Sequence, residues 1–368
     1  MNIYVLITLG VVIVFGLIAI IYLKFIDKSK DQTIGGLLFS SGLGLITSSF
    51  PTVIDTLTDL VKGFINNSAI SNSSNVNFVS LTSGFVLIVL GIYCNKNIKD
   101  RFYVLNILSK DRRLINEYKN IKDLKISDFK LRENLIDIVR IFNDANNVTD
   151  KSSRYISDEI EEKTTAFINQ STDFKKGFTG MGPIPYTILA GTYLSATEID
   201  EYFEYNRSKG AYYALHKKKW YKKSANYNEL SIHDVNPSEQ ISDVVVAISI
   251  TRKVEDRDLK QFTGLSIVRI GLNNPKDNAI IYIKQLYDYS QEIIDKMEDL
   301  KVKYPNLSTI HLVGAIPSCL SIELGRRISL NRSRLPKIIS YHYKYNSDPK
   351  YSFGIIVSED NKGKLVKT

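Results

Sequence analysis

Residues Arg207–Lys223 read RSKGAYYALHKKKWYKK, with seven basic side chains, no acidic one, and Tyr212, Tyr213, Trp220 and Tyr221 set among them. Cations neutralise phosphates and aromatic faces stack on bases, so this mixture suits a nucleotide. A solvated basic loop has the same composition, and the chain as a whole is rich in Lys, Ile, Asn and Tyr, as an AT-rich genome produces unaided. A second basic cluster, Arg326, Arg327, Arg332, Arg334 and Lys337, follows a predicted helix, where cations also simply complement the dipole. Catalytic patterns are missing. There is no P-loop and no GxSxG, and Gly180, Gly182 and Gly191 do not make a dinucleotide fingerprint. His216, His233, His311 and His342 have no metal-type spacing with one another or with Cys94 and Cys319. The expectation is therefore a binding protein with no catalytic residue, no metal site and no cofactor.

The elements that must hold these residues begin near residue 175, where Gly and Pro return and β-branched runs appear. Strands are predicted at Tyr186–Gly191, Val244–Thr251, Ser266–Gly271, Ser308–Ala315, Lys337–Tyr343 and Ser352–Val357, and helices at Glu198–Ser208, Asn278–Tyr304 and Ser318–Ile328. Alternating strand and helix predicts a parallel Rossmann-like sheet, whose ligands sit outside the carboxyl ends of the strands near helix N-termini. Those places are Thr251-Arg252 and Ala315–Ser318. Pro317 and Ser318 suit a helix start, where free amide N–H groups receive a phosphate, or where a helix simply begins. His311 reads as a core or edge histidine.

The N-terminal part is different in kind. Across 368 residues the hydrophobic fraction is 44% and the net charge +9, with a mean hydropathy of −0.10. That composition excludes a disordered chain, and two cysteines exclude a disulfide scaffold. The average conceals an apolar first quarter. Residues 3–23 carry no charge and match the ~20 residues needed to cross a ~30 Å hydrocarbon core. Segments 34–50, which an apolar face extends to 65, and 78–94 are shorter candidates. Lysines and arginines after the first and third segments, and an uncharged loop at 66–77, favour three spans with everything after 95 inside. Gly36, Ser40, Gly44 and Ser48 form a small-residue stripe on the second segment, for packing within the chain or between chains. Residues 96–170 hold neither Gly nor Pro beyond residue 97 and read as a cytosolic helical connector, with helices near 128–144 and 153–169.

Three stretches then carry a resemblance. They are IPYTILAGTYLSATEIDEYFEYNRSKGAYYAL (184–215), DVVVAISIT (243–251) and HLVGAIPSCLSIELGRRI (311–328). In order and spacing they resemble the SAVED domain, the sensor half of effectors in bacterial cyclic-oligonucleotide anti-phage signalling (CBASS), over roughly residues 170–360. The resemblance implies a membrane protein with N-terminal transmembrane helices (1–95), the connector (96–170) and a C-terminal α/β SAVED domain (171–368) of two fused Rossmann/CARF-like halves. It implies a cyclic di- or trinucleotide ligand made by a partner CD-NTase, self-association on binding, and disruption of the bacterial inner membrane that kills the cell before phage release. The chain would be multi-pass with its sensor in the cytoplasm, in contact with the lipid bilayer and with no DNA or RNA partner. Topology and chemistry together nominate Pro185, Tyr186, Arg207, Lys219, Trp220, Thr251, Arg252, Pro317 and Ser318 as ligand contacts. A membrane-anchored nucleotide-dependent enzyme and a constitutive nucleotide-binding membrane protein remain alternatives at this level.

Overall fold

The computed structural model describes residues 37–45, 75–99, 101–109, 113–117, 130–139, 141, 148–172, 174–217, 227–234, 241–358 and 361–367. The chain divides into two compact units, Met1–Arg101 and Phe102–Thr368.

In the first unit a helix over 37–45 (α1) packs on α2 (Asn75–Lys99). The close approach is made at Gly42, where a Cβ would lie 2.6 Å from the Gly84 carbonyl oxygen. This departs from packing of the expected stripe within the chain. Ser40 and Gly44 are exposed, and Gly36 and Ser48 lie outside the described residues. Positions 40 and 44 stand about 200° around the helix from 42, so a stripe through them points away from α2. Among the described residues no helix is long and apolar enough to cross a membrane. The candidate span 3–23 lies outside the described residues, as does 34–50 apart from 37–45.

The second unit holds two sheets. The first has the order β2-β1-β3-β4-β5, from β1 (Arg101–Leu108), β2 (Lys130–Asp137), β3 (Lys175–Gly180), β4 (Glu201–Asn206) and β5 (Ala211–Ala214). β1, β3 and β4 are parallel, and β5 returns antiparallel. The expected helical connector is therefore not what forms. Phe102–Leu108 is an unbroken buried run, the pattern of a parallel strand covered on both faces. Leu131, Leu135 and Ile138 have helical spacing, yet they lie on or just beyond β2, because pairing at a sheet edge overrides local preference. A boundary at residue 170 would cut between the hydrogen-bonded neighbours β1 and β3. The expected helix over 153–169 does form, as α3 (Asp150–Gln170). It is capped by Thr149 and Ser152 in a reciprocal box, with Ile156, Ile160 and Phe167 buried.

The next two sequence expectations are exchanged. Tyr186–Gly191 is part of a helix, α4 (Ile184–Tyr193), and Glu198–Ser208 contains the strand β4. Residues 185–192 are all buried, so the polar face that would mark a helix in sequence is missing.

The second sheet runs β12-β11-β10-β9-β7-β8-β6. Its strands are β6 (Ser231–Asp234), β7 (Asp243–Ser249), β8 (Ser266–Gly271), β9 (Thr309–Ala315), β10 (Lys337–His342), β11 (Phe353–Ile356) and β12 (Leu365–Lys367). β10, β9, β7 and β8 form a parallel centre, as the alternation predicts. Its helices are α5 (Ile283–Lys303) and α6 (Ser318–Leu330).

The two halves are joined where α4 crosses α6. A Cβ on Gly191 would sit 2.2 Å from the Ile322 carbonyl oxygen, and one on Gly325 2.0 Å from that of Ile188. Beside this crossing Arg326 donates to the carbonyls of Leu194 (3.2 Å) and Thr197 (2.6 Å) and to Glu323 (2.6 Å). Tyr202 of the first sheet donates to the same Glu323 carboxylate at 2.8 Å. On the other face of the second sheet, His311 meets Tyr341 at 2.8 Å and Asp243 at 3.5 Å, and packs on Phe262.

Gly191→Ala is expected to destabilise the fold by about 1–3 kcal/mol, because the backbone on the far side cannot yield. Urea unfolding checks this, and an unchanged midpoint would refute the crossing. His311 gives a pH dependence. Burial lowers its pKa below 6.5, with Asp243 opposing in part. The unfolded chain then takes the proton more readily than the fold, so stability present above pH 6.5 is lost as pH falls through the depressed folded pKa. Melting temperature should fall from pH 7 toward 5, and less steeply in His311→Gln.

Candidate functional site

In an open parallel sheet the crevice for a ligand opens where successive strands depart to opposite sides. In the second sheet this is between β7 and β9, since β8 lies on one side of β7 and β9 on the other. In the first sheet it is between β1 and β3, with β2 on the far side of β1. The crossing of α4 and α6 turns both crevices onto one cleft of about 850 Å³. The carboxyl ends of β1 and β3 contribute Ser109 and the segment Gly180–Ile184, and those of β7 and β9 contribute Thr251 and Ile316–Ser318. Ser109 Oγ donates to the Met181 carbonyl at 2.7 Å, tying the first pair of strand ends together. The size is that of a small-molecule pocket.

The cleft carries cations and aromatic rings. Arg113 and Arg207 line it with Tyr205, Tyr213, His342 and Tyr343. The Arg113 guanidinium lies 4.4 Å from the centroid of the Tyr205 ring, and Arg252 lies 4.5 Å over Tyr343. Such stacking holds a guanidinium in place.

Two helix N-termini open into the same space, and they differ. α4 starts after Pro183 with no side-chain cap. α6 starts after Pro317, and its first turn is already occupied by a carboxylate. Glu204 Oε1 accepts from Ser318 Oγ at 2.9 Å and from the Cys319 amide at 2.5 Å. Burial raises the Glu204 pKa above 4.5, while the bonds from Cys319 and Ser318 pull it back down. Burial and this carboxylate together push the Cys319 thiol well above its ordinary range, so it carries no thiolate chemistry. The expected phosphate seat at Pro317-Ser318 is thus filled by the protein's own anion. Glu204 also raises the pKa of Tyr213, after burial, and the Tyr213 hydroxyl donates to the Ile280 carbonyl at 3.2 Å.

The nominated residues separate cleanly. Arg207, Thr251, Pro317 and Ser318 line the cleft, and Arg252 is exposed, stacked on the cleft-lining Tyr343. Pro185 and Tyr186 are corrections. Both are buried in α4, and the Tyr186 hydroxyl donates to Ser153 at 3.0 Å, with burial raising its pKa to about 12. They belong to the core because the segment is a helix there and not a strand end. Lys219 and Trp220 lie outside the described residues. Glu204 and Arg113 were missed, while Tyr213 was marked only as one ring of the basic-aromatic segment. Glu204 and Arg113 hang on elements read as helix, so the strand end that presents them was invisible. Among the described residues no cluster of three His, Cys, Asp or Glu side chains is placed to hold a metal ion.

With the geometry in hand, known proteins can be compared. A Cap4 SAVED/CARF-domain containing receptor of Acinetobacter baumannii, solved with the cyclic trinucleotide 2'3'3'-cAAA, is 14% identical with a TM-score of 0.46, covering 80% of this chain and 58% of that one. The corresponding receptor of Moraxella osloensis is 14% identical with a TM-score of 0.42, covering 74% of this chain and 56% of that one. The chain thus spans less than two thirds of the length of these receptors. No protein of curated function matches it. The model of SAVED, the "SMODS-associated and fused to various effectors sensor domain", matches residues 155–357, which contain α4, α6 and most of the cleft. The match takes in more than half of the chain, and by it the chain belongs to the SAVED family of sensor domains.

Proposed function

We propose that this chain is a receptor-effector of cyclic-oligonucleotide anti-phage signalling and not an enzyme. Its ligand is a cyclic di- or trinucleotide supplied by a partner nucleotidyltransferase, and the cleft between the two halves receives it. The observation that carries this reading is the convergence of two switch-point crevices on one cleft lined by Arg113, Arg207 and several tyrosines. Phosphates need cations and bases need flat rings, and the cleft presents both. Family membership adds the role of sensor.

The effector is the N-terminal unit. Leu37, Leu43, Phe85, Val89 and Ile92 are exposed large apolar side chains on its two described helices. A surface of that kind fits lipid or other copies of the same helices better than water. In this reading the chain is a multi-pass protein of the bacterial inner membrane with its sensor inside. Ligand stabilises contacts between neighbouring sensors, the clustered helices repack, and the membrane loses integrity. Binding can drive assembly only by its greater affinity for the assembled state.

The test is binding of a panel of cyclic di- and trinucleotides to the full-length protein in detergent, with mass measured before and after ligand. At least one member should bind and raise the mass. No binding would sink the receptor reading, and binding at constant mass would sink the clustering step. Arg207→Ala should weaken the productive ligand about tenfold and lower the slope of log affinity against log salt by about one, as loss of one phosphate contact requires. In cells making the ligand, dye leakage should disappear when residues 1–94 are deleted.

A further inference from the structure

Two carboxylates line the cleft where a phosphate ligand would be served by none, the half-buried Glu204 and the exposed Asp277. Glu204 stands on β4 directly opposite Tyr213 on β5, and both line the cleft. The hydrogen bonds it accepts from Ser318 Oγ and the Cys319 amide are both made to Oε1. A carboxylate oxygen has two lone-pair sites, so Oε1 is filled. Among the described residues no N–H or O–H group donates to Oε2, and the Cys319 thiol, which also faces this carboxylate, is only a weak donor. Anchoring of Oε1 at the first turn of α6 prevents the two oxygens from exchanging places. The carboxylate therefore offers the cleft a fixed acceptor beside the Tyr213 ring, and it repels phosphate from the start of α6. Phosphates are left to Arg113, Arg207 and the uncapped start of α4.

We propose that Glu204 is a specificity-determining residue of the cleft, accepting through Oε2 a hydrogen bond from a donor group of the bound nucleotide. This rests on the reading of the cleft as a cyclic-oligonucleotide site. The donor is the exocyclic amine of a base or the hydroxyl of a ribose, both of which a carboxylate accepts. A ring that presents a carbonyl at the same place, or a sugar without the hydroxyl, faces an unpaired acceptor and is rejected. Glu204→Gln separates this role from a structural one. Its carbonyl oxygen keeps the bonds from Ser318 and Cys319, while its amide turns an N–H group to the cleft in place of Oε2.

The experiment measures affinities of the full-length protein for cyclic triadenylate, its inosine counterpart and its 2'-deoxy counterpart, and for the matching cyclic dinucleotides. The wild type should prefer the amine-bearing ring over the inosine ring, or the ribose over the deoxyribose, by about tenfold or more. Glu204→Gln should abolish that preference, and in the amine case reverse it toward inosine. The first pair of ligands identifies a base amine as the donor and the second a ribose hydroxyl. A wild type that discriminates in neither pair, or that favours inosine, overturns the proposal while the cleft reading survives. So does a Glu204→Gln protein that keeps the wild-type preference. Should Glu204→Gln fail to fold, the wild-type preferences alone decide. A wild type that binds no member of the series overturns the cleft reading itself, and this proposal with it.

Discussion

Two glycines make the sensor possible. α4 and α6 come from different halves and cross with Gly191 and Gly325 face to face, each where a Cβ would strike the other helix's backbone. Backbone-to-backbone contact of this kind leaves no side chain to adjust, so the crossing angle and distance are set rigidly. Everything else about the cleft follows from it. The helices begin on the same side, their strands end on the same side, and two crevices that would each be shallow become one cavity. The Arg326 network adds polar closure: its guanidinium satisfies two carbonyls beyond the carboxyl end of α4, and Glu323 neutralises it in a nearly buried position. A charge so placed is tolerated only because its partners are complete.

The crossing also explains why the two helix starts differ. A helix N-terminus attracts an anion, and leaving two of them unfilled in one cavity would cost the empty protein stability. At α6 the cost is met internally by Glu204, reaching across from the first sheet. At α4 the first turn contains Pro185 and is headed by Pro183, which removes amide donors from the inventory and lowers the unmet demand. One start is thus satisfied by the protein, and the other remains as the opening's residual positive end, close to Arg113 and Arg207.

The second half was legible because its strands are β-branched runs separated by a long amphipathic helix. β7, β8, β9, β10 and α6 lie within a few residues of their expected bounds, with α5 beginning a few residues late. The first half was not legible, for definite reasons. α4 is buried on every side, so it shows no helical period. β1 follows a charged segment and precedes another, and was absorbed into a helical reading of both. Arg113 became a cleft residue only once β1 was known to end at Leu108. Arg207, Thr251, Pro317 and Ser318 were found because strand ends and basic-aromatic composition are local signals. Tyr186 was misplaced by the same logic, since a strand end and a helix start share Gly and Pro. The pairing of Gly191 with Gly325, and of Glu204 with Ser318, joins residues more than a hundred positions apart, and no local signal marks such contacts.

The rings and the cations are better understood as pairs than as separate contributions. An unrestrained arginine loses about 2 kcal/mol of side-chain entropy on being fixed, which an incoming phosphate must overcome. Arg113 lies on Tyr205, whose ring in turn meets Tyr212 edge-on at 5.2 Å, and the Tyr212 hydroxyl donates to the Arg113 carbonyl at 3.1 Å. The guanidinium is therefore held by its own ring, and the ring by a chain that returns to the same residue. Part of the ordering cost is met by folding, before any ligand arrives. Arg207 follows β4 on the exposed turn to β5 and lacks such a bracket among the described residues. A site built this way divides its work. In the proposed reading, the preordered Arg113 sets where a phosphate lies, Arg207 adds charge, and Glu204 sets what else the ligand must present.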